Sequence, residues 1–200
     1  PPGMLPMFIQ MKSAWTPVPV RASSRRFDQC CRGVSLAHRF REVRAQARGR
    51  HHAQGRRAVE ELRQGGVDAP IYLCVQPAPF EAERVVESGA RIALCSVRVA
   101  TAIAAAARRQ RQVVRCHVKV ETGTNRQGVS DDGLIDLVQS VHRLDGLALE
   151  GLTTHFADIE DTTDHRFAKG QIEALAASVS TVRGLGIEVP MVHAANSAAT

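Results

Sequence analysis

Short apolar runs alternate with longer segments of helical pattern from residue 58 onwards. The apolar runs have the length of strands and read "PIYLCV" (70–75), "RIALCS" (91–96), "VVRCHVKVET" (113–122), "LALEGLTTH" (147–155) and "PMVHAANS" (190–197). The segments between them are rich in helix-forming residues or repeat their apolar positions with a helical period, as in "DDGLIDLVQSVHRL". Strands that alternate with helices in this way are typical of βαβ units with a parallel sheet.

The loops after the predicted strands narrow the fold class. None of them contains a GxGxxG sequence or a phosphate-binding loop, which argues against a doubly wound sheet that binds a nucleotide. The sequence therefore predicts an α/β protein with a partial (β/α)8 TIM-type barrel, of which about strands 3 to 7 are recognisable.

Residues 1–57 differ from the rest of the chain in pattern and in charge. They show no sustained helical or strand period, and their twelve Lys and Arg residues against two acidic residues give a net charge of +10, whereas residues 58–200 carry −4. The predicted organisation is an irregular Arg-rich segment, 1–57, that is disordered or read out of frame, followed by a partial barrel domain, 58–200. A basic segment could bind nucleic acid, but it has no recognised motif and few aromatic residues, so this alternative ranks low.

The lengths of the apolar runs indicate where the protein is located, and the spacing of cysteines and other possible ligands indicates whether it binds a metal. No run approaches the ~18 residues of a membrane-spanning helix and no clear cleavage site lies near the first residues, so the chain is predicted to be cytoplasmic. The five cysteines form no CxxC pair, and three lie in apolar runs, which favours buried free thiols. No metal is predicted, because the possible ligands are only loosely spaced: His155, Asp158, Asp161 and His165.

Polar residues collect where the predicted strands end, which is where the chemistry of a parallel barrel gathers. Lys119 lies inside an apolar strand two residues before Glu121, and Arg126 comes on the next loop. A buried ammonium is costly, so Lys119 needs either Glu121 as a partner on the same face or a chemical modification that removes its charge. His155 ends the next strand, either as a hydrogen-bonded residue of the rim or as part of a site.

The last predicted strand ends in Asn196 and Ser197, with small residues after them. Hydroxyl and backbone N–H groups at a strand-to-helix turn suit a bound phosphate. The same residues also suit an ordinary helix cap, so the sequence leaves both interpretations open.

Three motifs at successive strand ends, "HVKVETGTNRQGV", "LEGLTTHFADIEDTTDHRFAKGQ" and "HAANSAAT", share one resemblance. In this order and spacing they resemble the N-terminal barrel domain of alanine racemase, a pyridoxal-phosphate enzyme, over roughly residues 57–200. The resemblance implies interconversion of L-alanine and D-alanine, which supplies D-alanine for peptidoglycan, with pyridoxal 5'-phosphate as cofactor and a homodimer as the assembly. Other pyridoxal-phosphate barrel enzymes are alternatives, namely a broad-specificity amino-acid racemase or a D-amino-acid aldolase or dehydratase.

The first motif implies two roles. By resemblance, Arg126 hydrogen-bonds the phenolic oxygen of the cofactor and helps to orient the substrate carboxylate. Lys119 matches a lysine that is often carbamylated, and the resulting negative charge would hold Arg126. Two residues depart from the family pattern, with Glu121 where an aspartate is usual and Thr124 where a methionine is usual.

The other two motifs imply the rest of the candidate site. His155 matches the histidine beside the cofactor ring, and with Arg126 it forms the supporting catalytic pair. Ser197 matches a phosphate ligand, with Asn196 alongside it. His193 matches a histidine that stands behind the site and supports an arginine facing the pyridine nitrogen.

Two catalytic residues of the family have no match in the sequence. The family's Schiff-base lysine lies in a K-A-x-A-Y-G stretch, and its second base is a tyrosine from the C-terminal domain of another subunit. The chain contains only Lys12, Lys119 and Lys169, none of them in that context, and its one tyrosine is Tyr72, in a strand predicted to be buried. This chain is therefore expected to be inactive.

Overall fold

The computed structural model describes residues 53–67, 70–157 and 166–195, together with two short strands near the start of the chain. These strands, β1 (Pro6–Met7) and β2 (Val18–Pro19), pair antiparallel. The remaining elements in chain order are α1 (Ala53–Gln64), β3 (Tyr72–Leu73), a 3-10 turn (Pro79–Glu81), α2 (Ala82–Glu87), β4 (Arg91–Leu94), α3 (Val97–Arg109), β5 (Val114–Lys119), α4 (Asp131–Arg143), β6 (Leu147–His155), α5 (Arg166–Gly184) and β7 (Met191–Ala195).

Strands β3 to β7 form one sheet in sequential order, and every neighbouring pair is parallel. Parallel neighbours need crossover connections, which helices α2 to α5 supply here. Sequential parallel strands separated by helices are the repeating unit of a (β/α) barrel. The predicted fold class is confirmed, because the five strands form one curled half of such a barrel.

The face of the sheet that meets the helices carries the hydrophobic core. Ile92 and Leu94 of β4 and Val118 of β5 are completely buried there. The helices pack onto them with a set of buried apolar side chains: Ile103, Leu137, Val138, Leu175 and Val179. This packing results from the alternation of the strands, which sends every second side chain to the same face.

The opposite face of the sheet is polar inside the half-barrel. Tyr72 on β3, His117 on β5 and His193 on β7 bring their rings together there. The two histidine centroids lie 4.8 Å apart, and the Tyr72 ring lies 5.0 Å from His117 and 5.3 Å from His193. Side chains of alternate strands form one layer in a (β/α) barrel, and these three rings form such a layer.

Several strands are shorter than the sequence predicts, and β4 ends at Leu94. β5 ends at Lys119 because the chain turns back, so that the Val129 N–H donates to the Lys119 carbonyl and the Glu121 N–H donates to the Val129 carbonyl, both at 2.9 Å. Glu121 therefore lies in a turn. β3 ends at Leu73, so the free thiol of Cys74 lies past the strand and is exposed, contrary to the expectation of a buried thiol.

Helix α1 begins upstream of the predicted start of regular structure at residue 58. It runs over Ala53–Gln64, and its buried Val59 packs with Ile71 and Ala90 in a small apolar cluster of its own. Within the part of the chain that the structure describes, no helix has both the length and the apolar character needed to cross a membrane.

Candidate functional site

Lys119 is the last residue of β5, and its side chain reaches across β4 to the residue that follows β3. Its Nζ donates a hydrogen bond to the Cys74 carbonyl oxygen at 3.3 Å. No ion pair joins Lys119 to Glu121 among the described residues, so the same-face pair considered from the sequence does not form. Burial raises the pKa of the neighbouring Cys95 thiol to about 11, while the charge of Lys119 opposes that shift. Cys95 is therefore a neutral thiol beside the lysine.

Glu121 is occupied by its own loop, which explains why it does not reach Lys119. Its Oε1 accepts from the Gly123 N–H at 2.6 Å, and its Oε2 lies 3.2 Å from the Thr124 hydroxyl. Burial tends to raise the pKa of Glu121, but the hydrogen bonds from the loop outweigh it, and the pKa is lowered. The two departures from the family pattern, Glu121 and Thr124, thus bind each other and shape the turn before Arg126.

Arg126, Lys119 and His155 come together at the carboxyl ends of β5 and β6. His155 is the last residue of β6 and is half-buried, whereas Arg126 is exposed on its loop. Burial lowers the pKa of His155, and the positive charges of Lys119 and Arg126 lower it further. The imidazole is therefore neutral at neutral pH, and it stands next to two cations. The structure thus places the charges of Lys119 and Arg126 where both act on the His155 ring.

Gln171 on α5 holds the two loops of the site together, a role that the sequence analysis missed. Its Nε2 donates to the Thr122 hydroxyl at 3.0 Å and to the His155 carbonyl at 3.2 Å, and its Oε1 accepts from the Ala157 N–H at 3.0 Å. The side chain is buried. A signal existed, because Gln171 occupies an apolar position in the helical pattern, on the same face as Ala168 and Leu175.

His193 lies deeper in the half-barrel, and both of its ring nitrogens have partners. Nδ1 lies 3.1 Å from the Thr153 hydroxyl, and Nε2 lies 2.9 Å from His117 Nδ1. Burial, with a smaller effect from the proximity of His117, lowers the pKa of His193 to about 3, so the ring is neutral. His117 in turn contacts Glu150. The sequence analysis overlooked both His117 and Glu150, although His117 shares its strand face with Lys119.

Several predicted site residues lie outside the described residues. Asn196 and Ser197 come directly after Ala195, whose Cα pairs with that of His155. The possible metal ligands other than His155 also lie outside, as does Lys12. Within the described ranges, no group of three metal-ligating side chains occurs. Lys169 is exposed in the first turn of α5.

The class of protein is defined by the fold and the site together. The polar side chains lie at the carboxyl ends of parallel strands, which is where the active sites of (β/α) barrel enzymes are found. Residues 30–200 match the family model described as "Alanine racemase, N-terminal domain". The chain belongs to the alanine racemase family.

Individual relatives agree with the family model. The chain is 30% identical over 194 residues to an alanine racemase of Carboxydothermus hydrogenoformans, covering 82% of this chain and 52% of the relative. Two solved structures share the fold. The first is alanine racemase of Clostridium difficile 630 in complex with cycloserine, with a TM-score of 0.66 and 23% identity, covering 72% of this chain and 40% of that chain. The second is histidine racemase of Leuconostoc mesenteroides, with a TM-score of 0.61 and 25% identity, covering 68% of this chain and 36% of that chain. The chain thus spans about half, or less, of the length of each.

Proposed function

We propose that this chain forms part of the barrel of a pyridoxal-phosphate-dependent racemase that interconverts L-alanine and D-alanine in the cytoplasm and supplies D-alanine for peptidoglycan. The observation that carries the proposal is the convergence of Lys119, Arg126 and the neutral His155 at the strand ends. Pyridoxal phosphate supplies an electron sink that makes the α-proton of an amino acid easier to remove. The anionic groups of the cofactor match the positive charges of the site, and its aromatic ring matches the imidazole of His155.

Each residue would contribute binding and orientation. Arg126, exposed on a short loop, would donate hydrogen bonds to the phenolic oxygen and to the substrate carboxylate. His155 would lie beside the cofactor ring, where a neutral imidazole adds no further positive charge. Asn196 and Ser197 would hold the phosphate. They follow Ala195 of β7 in the sequence, and Ala195 pairs with His155 of β6.

Lys119 is proposed as a carbamate that holds Arg126. Unmodified, its ammonium contacts a carbonyl oxygen without Glu121 as a partner, and its positive charge acts on His155 together with that of Arg126. Addition of carbon dioxide to the neutral amine, with loss of one proton, would turn this cation into an anion. Two like charges would then become an attractive pair at the same place.

The covalent anchor of the cofactor is the part of the chemistry for which this sequence offers no matching residue. The chain has three lysines, and none lies in a K-A-x-A-Y-G context. Lys169 is exposed on α5, and Lys119 is assigned to Arg126. We therefore propose that the 200-residue chain, with an Arg-rich segment, 1–57, before the barrel part, 58–200, binds the cofactor without racemase activity, and that the family's homodimer does not form from it.

The test is an absorbance titration with pyridoxal phosphate before and after borohydride reduction, and then peptide mapping. Saturable binding without reduction-locked labelling of one lysine is expected. Arg126→Ala should weaken binding by about tenfold or more, the effect of losing one charge-assisted hydrogen bond. Arg143→Ala removes the same charge at the far end of α4 and should leave binding unchanged. Equal affinities for both variants would contradict the site, and a reduced adduct at Lys12 would show that a covalent anchor exists.

A second candidate is a broad-specificity racemase, which the shared fold with histidine racemase favours. Deuterium exchange at the α-carbon of alanine, histidine and D-threonine separates the candidates, with free cofactor as the reference. No acceleration is expected from this chain alone. Exchange that is faster for histidine than for alanine would favour the second candidate, and cleavage of D-threonine would favour an aldolase.

A further inference from the structure

Residues 121–128 form a turn after β5, and Arg126 lies on this turn. The backbones at its two ends meet, because the Glu121 N–H donates to the Val129 carbonyl oxygen at 2.9 Å. Gly128 packs directly on Glu121, since a Cβ at Gly128 would lie 2.6 Å from the Glu121 backbone nitrogen. The first and last residues of the turn are therefore fixed next to each other.

Strand β6 runs beside the start of this turn, after a bulge in the strand. Cys116 of β5 pairs with Leu149, but the next residue, His117, pairs with Gly151, so Glu150 is an extra residue on β6. A bulge of this kind disrupts the ladder locally and re-aims the side chains around it. The residues of β6 that follow the bulge are the ones that run beside the end of β5.

Thr154, in the part of β6 after the bulge, contacts the start of the turn. Its hydroxyl donates to the Val120 carbonyl oxygen at 3.0 Å and lies 2.6 Å from the Thr122 hydroxyl. On the other side, the Phe167 ring of α5 lies against Gly123, since a Cβ at Gly123 would lie 2.7 Å from that ring. The start of the turn is thus fixed between β6 and α5.

The middle of the turn binds the carboxylate of Glu121. Its Oε1 accepts from the Gly123 N–H at 2.6 Å, and the Thr124 hydroxyl donates to its Oε2 at 3.2 Å. Asn125 has a left-handed backbone with a φ of 51°, which asparagine adopts more readily than most residues. Successive N–H groups in a turn of this kind form a concave anion site. Here the anion is the side chain of Glu121.

Backbone N–H groups of three successive residues act on this carboxylate. Burial raises the pKa of Glu121, but the hydrogen bonds from Gly123, Asn125 and Thr124 outweigh it, and the pKa is lowered. The carboxylate is therefore ionised at neutral pH. Because an ionised acceptor binds N–H donors more strongly than a neutral one, its charge holds the residues that come directly before Arg126.

The residue after Arg126 is held by a different contact. The Gln76 N–H donates to Gln127 Oε1 at 3.4 Å, and Gln76 Oε1 accepts from the Cys95 N–H at 2.6 Å. These contacts connect the turn to the loops that follow β3 and β4. Arg126 therefore emerges between two fixed segments, 123–125 and Gln127, while its own side chain is exposed.

We propose that Glu121 is a positioning residue for Arg126: its carboxylate fills the anion site of the turn and so fixes the backbone from which the guanidinium reaches a ligand. By filling that site, Glu121 also keeps the N–H groups of the turn from binding a ligand anion, which leaves anion recognition to the Arg126 side chain. The carbamate proposed at Lys119 would hold the side chain of Arg126, whereas Glu121 holds its backbone. The connection to a cofactor rests on the proposed function, whereas the hold on the turn does not.

The hold on the turn is measured without cofactor, by amide chemical shifts and 15N relaxation of the full chain at neutral pH. In the unaltered chain, the Gly123 amide proton should lie downfield, and the Arg126 amide should be as rigid as those of β5. Glu121→Gln replaces the charge by an amide, and it should move the Gly123 proton upfield and make the Arg126 amide more mobile. An Arg126 amide that stays equally rigid in Glu121→Gln would overturn the proposal.

Two further variants separate the effect of the charge from that of packing. Glu121→Asp retains a carboxylate that can accept from the N–H two residues later, so the Arg126 amide should stay rigid. Glu188→Gln removes the same charge at an exposed position before β7, at the opposite end of the strands, and should leave the turn unchanged. If Glu121→Asp loosens the turn as much as Glu121→Gln does, the charge does not hold the turn, and the proposal fails.

A double-mutant cycle with pyridoxal phosphate tests whether Glu121 acts through Arg126. Glu121→Gln should weaken binding by about fivefold, the effect of losing one hydrogen bond. In the Arg126→Ala background the same substitution should change the affinity little, because the group that Glu121 positions is gone. An equal loss in both backgrounds would reject the positioning role. If the unaltered chain binds no pyridoxal phosphate, the proposed function fails, and the relaxation measurement still decides whether Glu121 holds the turn.

Discussion

The two faces of the five-stranded sheet are stabilised by different kinds of interaction. On the helix side, Leu152 and its neighbours are buried among aliphatic side chains, where contacts are many and non-directional. On the inner side, His117 and His193 are equally buried, but each depends on hydrogen bonds with fixed partners. The helix side should therefore respond to changes of volume, and the inner side to changes of protonation and of hydrogen-bonding groups.

The largest effect is expected on the helix side. Leu152→Ala removes a completely buried side chain and should lower the free energy of unfolding by about 3 kcal/mol, through lost burial and the cavity left behind. Chemical denaturation monitored by circular dichroism measures this change. Leu185→Ala, at an exposed position after α5, is the matched control and should change stability little. Equal losses in the two variants would show that β6 does not pack as described.

The inner face should make the fold sensitive to acid. The pKa of His193 is about 3 in the folded chain, against an ordinary value near 6.5, so below pH 6.5 the unfolded chain binds a proton that the folded chain does not. The free energy of unfolding should therefore fall by about 2 kcal/mol between pH 7 and pH 5 from this group alone. Glu150, with its pKa lowered to about 2, adds a further loss below its ordinary pKa.

Denaturation of two variants at both pH values isolates this contribution. His193→Gln should remove most of the loss between the two pH values and flatten the pH dependence, whereas His142→Gln, at an exposed position on α4, should retain it. A pH dependence that persists in His193→Gln would assign the acid sensitivity to other groups.

The smallest effect concerns the contact between the two site loops. Gln171→Leu leaves the Ala157 N–H and the Thr122 hydroxyl without their partner, and it should cost about 1.5 kcal/mol. Gln171→Glu retains an acceptor for the Ala157 N–H and should cost less. In pyridoxal phosphate titrations, Gln171→Leu should also weaken binding, since the loop of Arg126 and the end of β6 are no longer tied together.

The sequence predicts the sheet well because the helix-facing pattern depends on burial alone. Alternation around Val118 and Leu94 identifies strands without knowledge of their neighbours. Lys119 and His155 could be placed at strand ends for the same reason. Glu150 could not be assigned, because its position depends on the pairing between β5 and β6, and the contacts of Glu121 depend on a turn whose amides fold back onto it.

The extra residue in β6 also reverses which positions of that strand face the helices. Before the bulge, the odd-numbered Leu147 and Leu149 pack against the core, whereas after it the even-numbered Leu152 does so. β6 thus consists of two short strands in opposite phase, joined at Glu150. His155 lies an even number of positions, six, after Leu149, yet the two side chains lie on opposite faces of the sheet. The side of the sheet on which His155 emerges is therefore decided five residues earlier, at Glu150.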